Sequence, residues 1–196
     1  IHGGGFTGGC GHEKHFDDPV WAAKDVVVVT INYRLGPMGF MCLPELKERD
    51  GHTGNYGLYD QMTAMQWVQH NIAAFGGDPA NVTVMGQSAG AMSTMQHCIS
   101  PKTHGLFNKA VMSSGGGAHK LMDSAQTYED RYEFWEKVME DMGVSTLEEL
   151  LAAEPEKIFA SWQKLKKANP KYAMVASPCL DGELLTKSPL TALNDG

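Results

Sequence analysis

Gly86-Gln87-Ser88-Ala89-Gly90 follows the β-branched run Val82-Thr83-Val84-Met85 and leads into a helix-compatible stretch, Ala91 to Cys98. Glycines two before and two after a serine let a strand turn sharply into a helix and hold the hydroxyl above the sheet. The serine then stands at a helix N-terminus, where free N–H groups and the positive end of the helix dipole favour developing negative charge. Nucleophilic acyl transfer requires that arrangement. Taken alone, the pentapeptide fits a serine-capped helix after a strand equally well.

A second chemical element lies in Ile1-His2-Gly3-Gly4-Gly5-Phe6. Three successive glycines remove every Cβ, so the backbone can approach a substrate carbonyl and aim its N–H groups at one oxygen. A glycine run by itself is a plain turn. With a strand between them, the two motifs read together as an oxyanion loop and a nucleophile elbow.

These residues resemble the type-B carboxylesterases, the cholinesterase-like branch of the α/β-hydrolases. The resemblance extends through Asn32-Tyr33-Arg34-Leu35-Gly36-Pro37-Met38-Gly39-Phe40, Gly54-Asn55-Tyr56-Gly57-Leu58-Tyr59-Asp60-Gln61 and Phe75-Gly76-Gly77-Asp78-Pro79-Ala80-Asn81-Val82-Thr83-Val84. It is strong to about Gly117, with a further short match at Cys179-Leu180-Asp181-Gly182-Glu183. It implies Ser88 as the nucleophile, the N–H groups of Gly4, Gly5 and Ala89 as the oxyanion hole, and Ser114 as a serine supporting the catalytic acid. Gln87 is a departure, because many members have Glu there. A neutral amide removes a charge that would attract cationic alcohols, which disfavours choline esters.

In this fold the triad runs Ser, then Asp or Glu, then His. The resemblance places both partners beyond a segment like the one that closes this sequence, so the chain reads as a central fragment of a larger enzyme. None of the eight histidines offers a substitute. His2 belongs to the glycine loop, and His12, His15 and His52 sit in polar loops. His97 is nine residues past Ser88 on the same expected helix, roughly 13 Å along the axis. His70, His104 and His119 lack an acidic partner at a suggestive spacing.

The elements that must position this site follow from periodicity. Val26-Val27-Val28-Val29-Thr30-Ile31 within 25–32 has the continuous β-branched pattern of a buried parallel strand. Met62, Met65, Val68 and Ile72 mark one face of a helix over 58–75, ended by Gly76-Gly77. Strands follow at 82–85 and 109–112. Alternating strands and helices predict an α/β fold, a partial α/β-hydrolase with a mostly parallel central sheet flanked by helices and its site at the strands' carboxyl ends. From about residue 124 the pattern turns helical, with helices at 128–142, 147–153 and 155–168. The chain thus divides into a sheet core (1–123), a helical cap-like insertion (124–172) and a return segment (173–196). The stripe Tyr132, Trp135, Val138, Met139 and Met142 reads as ordinary packing, with lining of a substrate gorge as the alternative. Arg34 and Asp60 are expected to form a partly buried ion pair beside the oxyanion loop, or else to be satisfied separately by backbone and water.

Composition agrees with one globular domain: 196 residues, 42% hydrophobic and 20% charged. The net charge of -7 argues against nucleic acid as a partner, and the cluster Lys164, Lys166, Lys167 and Lys171 reads as a solvated helix face. No apolar run is long enough to span a membrane. Cys10, Cys42, Cys98 and Cys179 lack metal-ligand or disulfide-framework spacing and read as free thiols, which leans toward a cytoplasmic setting. The twelve methionines read as core filler. No metal or cofactor motif is present. The sequence therefore predicts a serine esterase acting on small carboxylic esters, with the chain alone weakly active or inactive and self-associating through exposed sheet edges. The alternative is a cholinesterase-like adhesion or scaffolding protein that keeps the fold without the chemistry.

Overall fold

A β-branched segment leading into Gly86 and Ser88 becomes a strand because another segment offers it a ladder. In the computed structural model, which describes residues 1–14, 16, 20–116 and 126–195, strand β1 (Thr83–Gln87) pairs in parallel with β2 (Lys109–Ser113). Thr83 stands opposite Lys109 and Gln87 opposite Ser113. Helix α4 (Ala89–Ile99) connects the two strands and packs on both, forming one βαβ unit. It is an α/β fold, with a small parallel sheet flanked by helices.

Among the described residues, the region before β1 supplies three α-helices: α1 (Gly36–Phe40), α2 (Pro44–Asp50) and α3 (Tyr56–Asn71). Both short helices begin with Pro in the first turn, where the missing N–H costs nothing. Helix α3 starts two residues earlier than its periodicity indicates. It tightens into a 3-10 turn at Ile72–Phe75 and ends where Gly76 enters the left-handed region at φ +82°. Leu58, Gln61 and Met65 form its buried face.

The strand expected at 25–32 is a correction. Val26 to Val29 are 40% to 49% exposed, and no residue of the run joins a ladder. At its start, Asp25 N–H donates to the Ala22 carbonyl and Val26 N–H to the Trp21 carbonyl, and both bonds close a turn. β-branched composition favours extended backbone, but a strand also needs a partner, and none of the described residues provides one.

Beyond residue 126 the helical reading holds: a 3-10 turn at Glu129–Arg131, then α5 (Tyr132–Met142), α6 (Leu147–Ala152) and α7 (Pro155–Ala168). A capping box starts α6: Thr146 Oγ1 accepts from the Glu149 N–H at 3.2 Å, and Glu149 Oε2 accepts from the Thr146 N–H at 3.1 Å. Helix α5 packs on α7, burying Phe134, Trp135, Val138 and Met139 with Ile158 and Trp162. The α5 stripe is thus core. That same cluster reaches Phe6, Phe40, Leu58, Ala89 and Leu184. Helix α8 (Pro189–Asp195) closes the described chain against α4.

Candidate active site

Ser88 sits between β1 and α4 with φ +54° and ψ −120°, a backbone conformation that L-residues rarely adopt. The strain is imposed from outside. The Ser88 N–H donates to the Ser113 carbonyl at 2.9 Å, and the Ser88 carbonyl accepts from Met92 N–H at 3.0 Å. Both flanking glycines are required by close approach. A Cβ on Gly86 would lie 2.1 Å from the Gly90 carbonyl oxygen, and one on Gly90 would lie 2.2 Å from the Ile1 carbonyl oxygen. The Ser88 side chain does not cap α4, which disposes of the simple capping alternative. Among the described residues, its Oγ has no hydrogen-bond partner.

The glycine loop packs directly against this elbow. A Cβ on Gly3 would stand 2.7 Å from Gln87 Oε1 and 3.1 Å from Ser88 Cβ. Gly4 and Gly5 follow at φ +103° and +61°, and Phe6 also holds a positive φ of +62°. Two anchors hold the loop in that shape. The buried Phe6 ring meets Phe40 edge-on at 5.2 Å, and the Phe6 carbonyl accepts from Gly36 N–H at 2.7 Å. On the other side, the buried His2 ring stacks on Tyr33 at 4.3 Å, and Tyr33 Oη donates to the His2 carbonyl at 2.9 Å. Burial lowers the His2 pKa, so the ring is neutral and donates Nδ1–H to the Gly3 carbonyl at 2.8 Å. His2 is therefore structural. Among the described residues, the N–H groups of Gly4, Gly5 and Ala89 make no hydrogen bond.

Ser114 lies past the end of β2 in the left-handed region at φ +55°. The turn around it abuts the elbow, since a Cβ on Gly115 would be 2.4 Å from the Ser88 carbonyl oxygen. Gln87 is exposed on the outer face of β1. Arg34 and Asp60 do pair: Arg34 Nε and Nη2 reach the carboxylate at 2.9 and 2.8 Å, and the Arg34 N–H adds a bond at 2.9 Å. The pair is more open than expected, because the side chains are 50% and 27% exposed. The Arg34 guanidinium lies over the Tyr56 ring, 5.1 Å from its centroid.

No described histidine reaches Ser88. His97 is fully buried in α4, where Nε2 meets Gln61 Oε1 at 2.9 Å and Gln61 Nε2 donates to Ser93 Oγ at 3.2 Å. Desolvation pushes its pKa down to about 3. His52 packs against Tyr56 and Tyr59, and His70 bonds back to the Gln66 carbonyl. His12 lies 3.5 Å from Asn32 Nδ2, and His104 is exposed. His15 and His119 lie outside the described residues. No group of three His, Cys, Asp or Glu residues suited to a metal occurs among the described residues.

Sequence reasoning passed over one polar constellation. Buried Asn55 grips the return segment, donating to the Cys179 carbonyl at 2.7 Å and to Asp181 Oδ2 at 2.9 Å while accepting from Cys179 N–H at 3.0 Å. Asp181 Oδ1 in turn accepts from the N–H groups of Glu183 and Leu185 at 3.0 and 2.9 Å. Nearby, buried Arg131 donates to the carbonyls of Val175, Ser177 and Pro178. Both Asn55 and Asp181 lie in blocks that carry the family resemblance, and a buried amide in such a block was the available signal.

A strained serine between a parallel strand and a helix, packed against a glycine loop whose Gly4 and Gly5 N–H groups are unpaired among the described residues, has the architecture of an α/β-hydrolase. Comparison with known proteins agrees. The chain is 38% identical to the para-nitrobenzyl esterase of Bacillus subtilis (strain 168) and 37% identical to the fumonisin B1 esterase of Sphingopyxis macrogoltabida, in each case over its whole length. It spans 40% and 35% of those proteins. The solved structure of a thermophilic PNB esterase superposes with a TM-score of 0.89 at 37% identity, covering all of this chain and 40% of that one. Residues 1–196 match the Carboxylesterase family throughout, and the chain belongs to that family.

Proposed function

We propose that the whole protein hydrolyses carboxylic esters through an acyl-enzyme, with Ser88 as nucleophile. Its Oγ attacks the ester carbonyl carbon, and the N–H groups of Gly4, Gly5 and Ala89 stabilise the oxyanion. The alcohol leaves, and water then releases the acid. The observation that carries this reading is the strained Ser88, its hydroxyl unpaired among the described residues, against a loop whose N–H groups are also unpaired. Esterase relatives support the same chemistry. A scaffolding role gives no reason to hold such strain beside free donors.

Ser114 acts from behind the site by bonding the catalytic acid, and neutral Gln87 leaves cationic alcohols without a countercharge. Proton transfer needs a His and an acid that the described residues do not bring to Ser88, so the chain alone hydrolyses esters slowly. Helices α5 to α7 form a cap over the substrate side. Exposed Met85 and Val111 on the sheet, with Val26 to Val29, favour self-association of the isolated chain. Turnover of a p-nitrophenyl ester by the whole protein, abolished in Ser88→Ala, is the expected result. Unchanged turnover in that variant overturns the assignment.

A further inference from the structure

We propose that Cys42 and Cys179 form a peroxide-responsive thiol pair that closes into an intramolecular disulfide tying the loop between α1 and α2 to the return segment. Their Sγ atoms lie 4.0 Å apart although the residues are separated by 137 positions, and both side chains are buried. Closing to a bond of about 2.05 Å needs each sulfur to move by roughly 1 Å, within reach of small side-chain rotations.

The surroundings hold both partners in place. A Cβ on Gly54 would lie 2.6 Å from Cys42 Sγ and 2.7 Å from Cys179 Sγ, so any other residue there would occupy the space the sulfurs share. The segment around Gly54 fastens each side. Gly54 N–H donates to the Met41 carbonyl at 3.0 Å, Thr53 Oγ1 accepts from Leu43 N–H at 3.2 Å, and Asn55 clamps Cys179 by both its backbone groups. One short segment thus holds the neighbours of both cysteines. The hydrogen bond between the thiols holds Cys179 below its usual range and Cys42 well above it, and the nearby Arg131 charge also favours a Cys179 thiolate. Among the described residues, Cys10 and Cys98 have no comparable partner, and both are free thiols.

The reaction balances with hydrogen peroxide as oxidant. The Cys179 thiolate attacks one peroxide oxygen, the O–O bond breaks, and hydroxide leaves to give a sulfenic acid. Cys42 sulfur then attacks the Cys179 sulfur, forming the S–S bond while the sulfenic oxygen departs as water. In total, two thiols and one peroxide give one disulfide and two waters. The loop that closes includes Ser88 and both strands, and restricting the unfolded chain raises the unfolding temperature.

The folded protein is treated with N-ethylmaleimide to block accessible thiols, then with hydrogen peroxide. After catalase quenching it is unfolded in fresh N-ethylmaleimide and mapped by mass spectrometry without reductant. The expected product is a linked peptide pair containing Cys42 and Cys179, lighter by two hydrogens and released by dithiothreitol. The oxidised protein should also melt several degrees higher. Cys42→Ala should yield no linked pair and should carry Cys179 to sulfinic acid. Recovery of both residues as maleimide adducts after peroxide, or a sulfinic acid at either one in the unsubstituted protein without a link, overturns the proposal.

Discussion

The turn at Ser88 and the clamp at Asn55 are polar constellations built in opposite ways. Around Asn55 almost every donor meets an acceptor: the amide, the Cys179 backbone, the Asp181 carboxylate and the N–H groups of residues 183 and 185 close on one another. Around Ser88 the backbone is strained, and the hydroxyl and three N–H groups are left unpaired among the described residues. A saturated network holds a fold, whereas strained and unpaired groups cost stability unless a ligand repays them. On the proposed reading, the difference separates what supports the molecule from what acts on a substrate.

Substitutions at the two constellations should both be costly, by steric clash at the first and by stranded polar groups at the second. Gly86→Ala and Gly90→Ala place a methyl about 2 Å from carbonyl oxygens, and each should lower unfolding free energy by more than about 3 kcal/mol in urea titration. Asn55→Ala should cost about 3 kcal/mol, because it strands the Cys179 backbone and one Asp181 oxygen in the interior. A loss under 1 kcal/mol would show that water replaces the amide and would remove the contrast.

Acid should discriminate further. The unfolded chain binds a proton at His97 with an ordinary pKa near 6.5, whereas the folded chain binds it only near pH 3. Between those values the unfolded state holds more protons, so stability falls as pH drops from 6.5 toward 3. Its contribution is complete above pH 6.5. His97→Gln should flatten that part of the stability profile, measured by chemical denaturation at a series of pH values. The smallest effect belongs to Asp60→Asn. With Arg34 half exposed, the loss should be about 1 kcal/mol rather than the several expected of a buried pair.

The local chemistry was legible in the sequence where it depends on neighbours along the chain. Gly86-x-Ser88-x-Gly90 after a β-branched run dictates the turn, the α5 stripe dictates a buried helix face, and Gly76 dictates where α3 stops. What depends on distant partners was not legible. The valine run at 26–29 had the composition of a buried strand but lacks a ladder among the described residues. The pairing of Arg34 with Asp60 was expected correctly while its exposure was not, because exposure is set by what else packs over the guanidinium. Cys42 and Cys179 gave no sign in their spacing of lying 4.0 Å apart, since the Asn55 clamp brings them together.

Ser88 is proposed as a nucleophile set beside its oxyanion donors, with no base among the described residues. Its most direct test is the rate and position of fluorophosphonate labelling on the 196-residue chain, mapped by mass spectrometry. Slow labelling confined to Ser88 and abolished in Ser88→Ala is the expected result. Fast labelling at Ser88 would contradict it by revealing a base within this chain, and labelling that persists in Ser88→Ala would remove the serine from the mechanism.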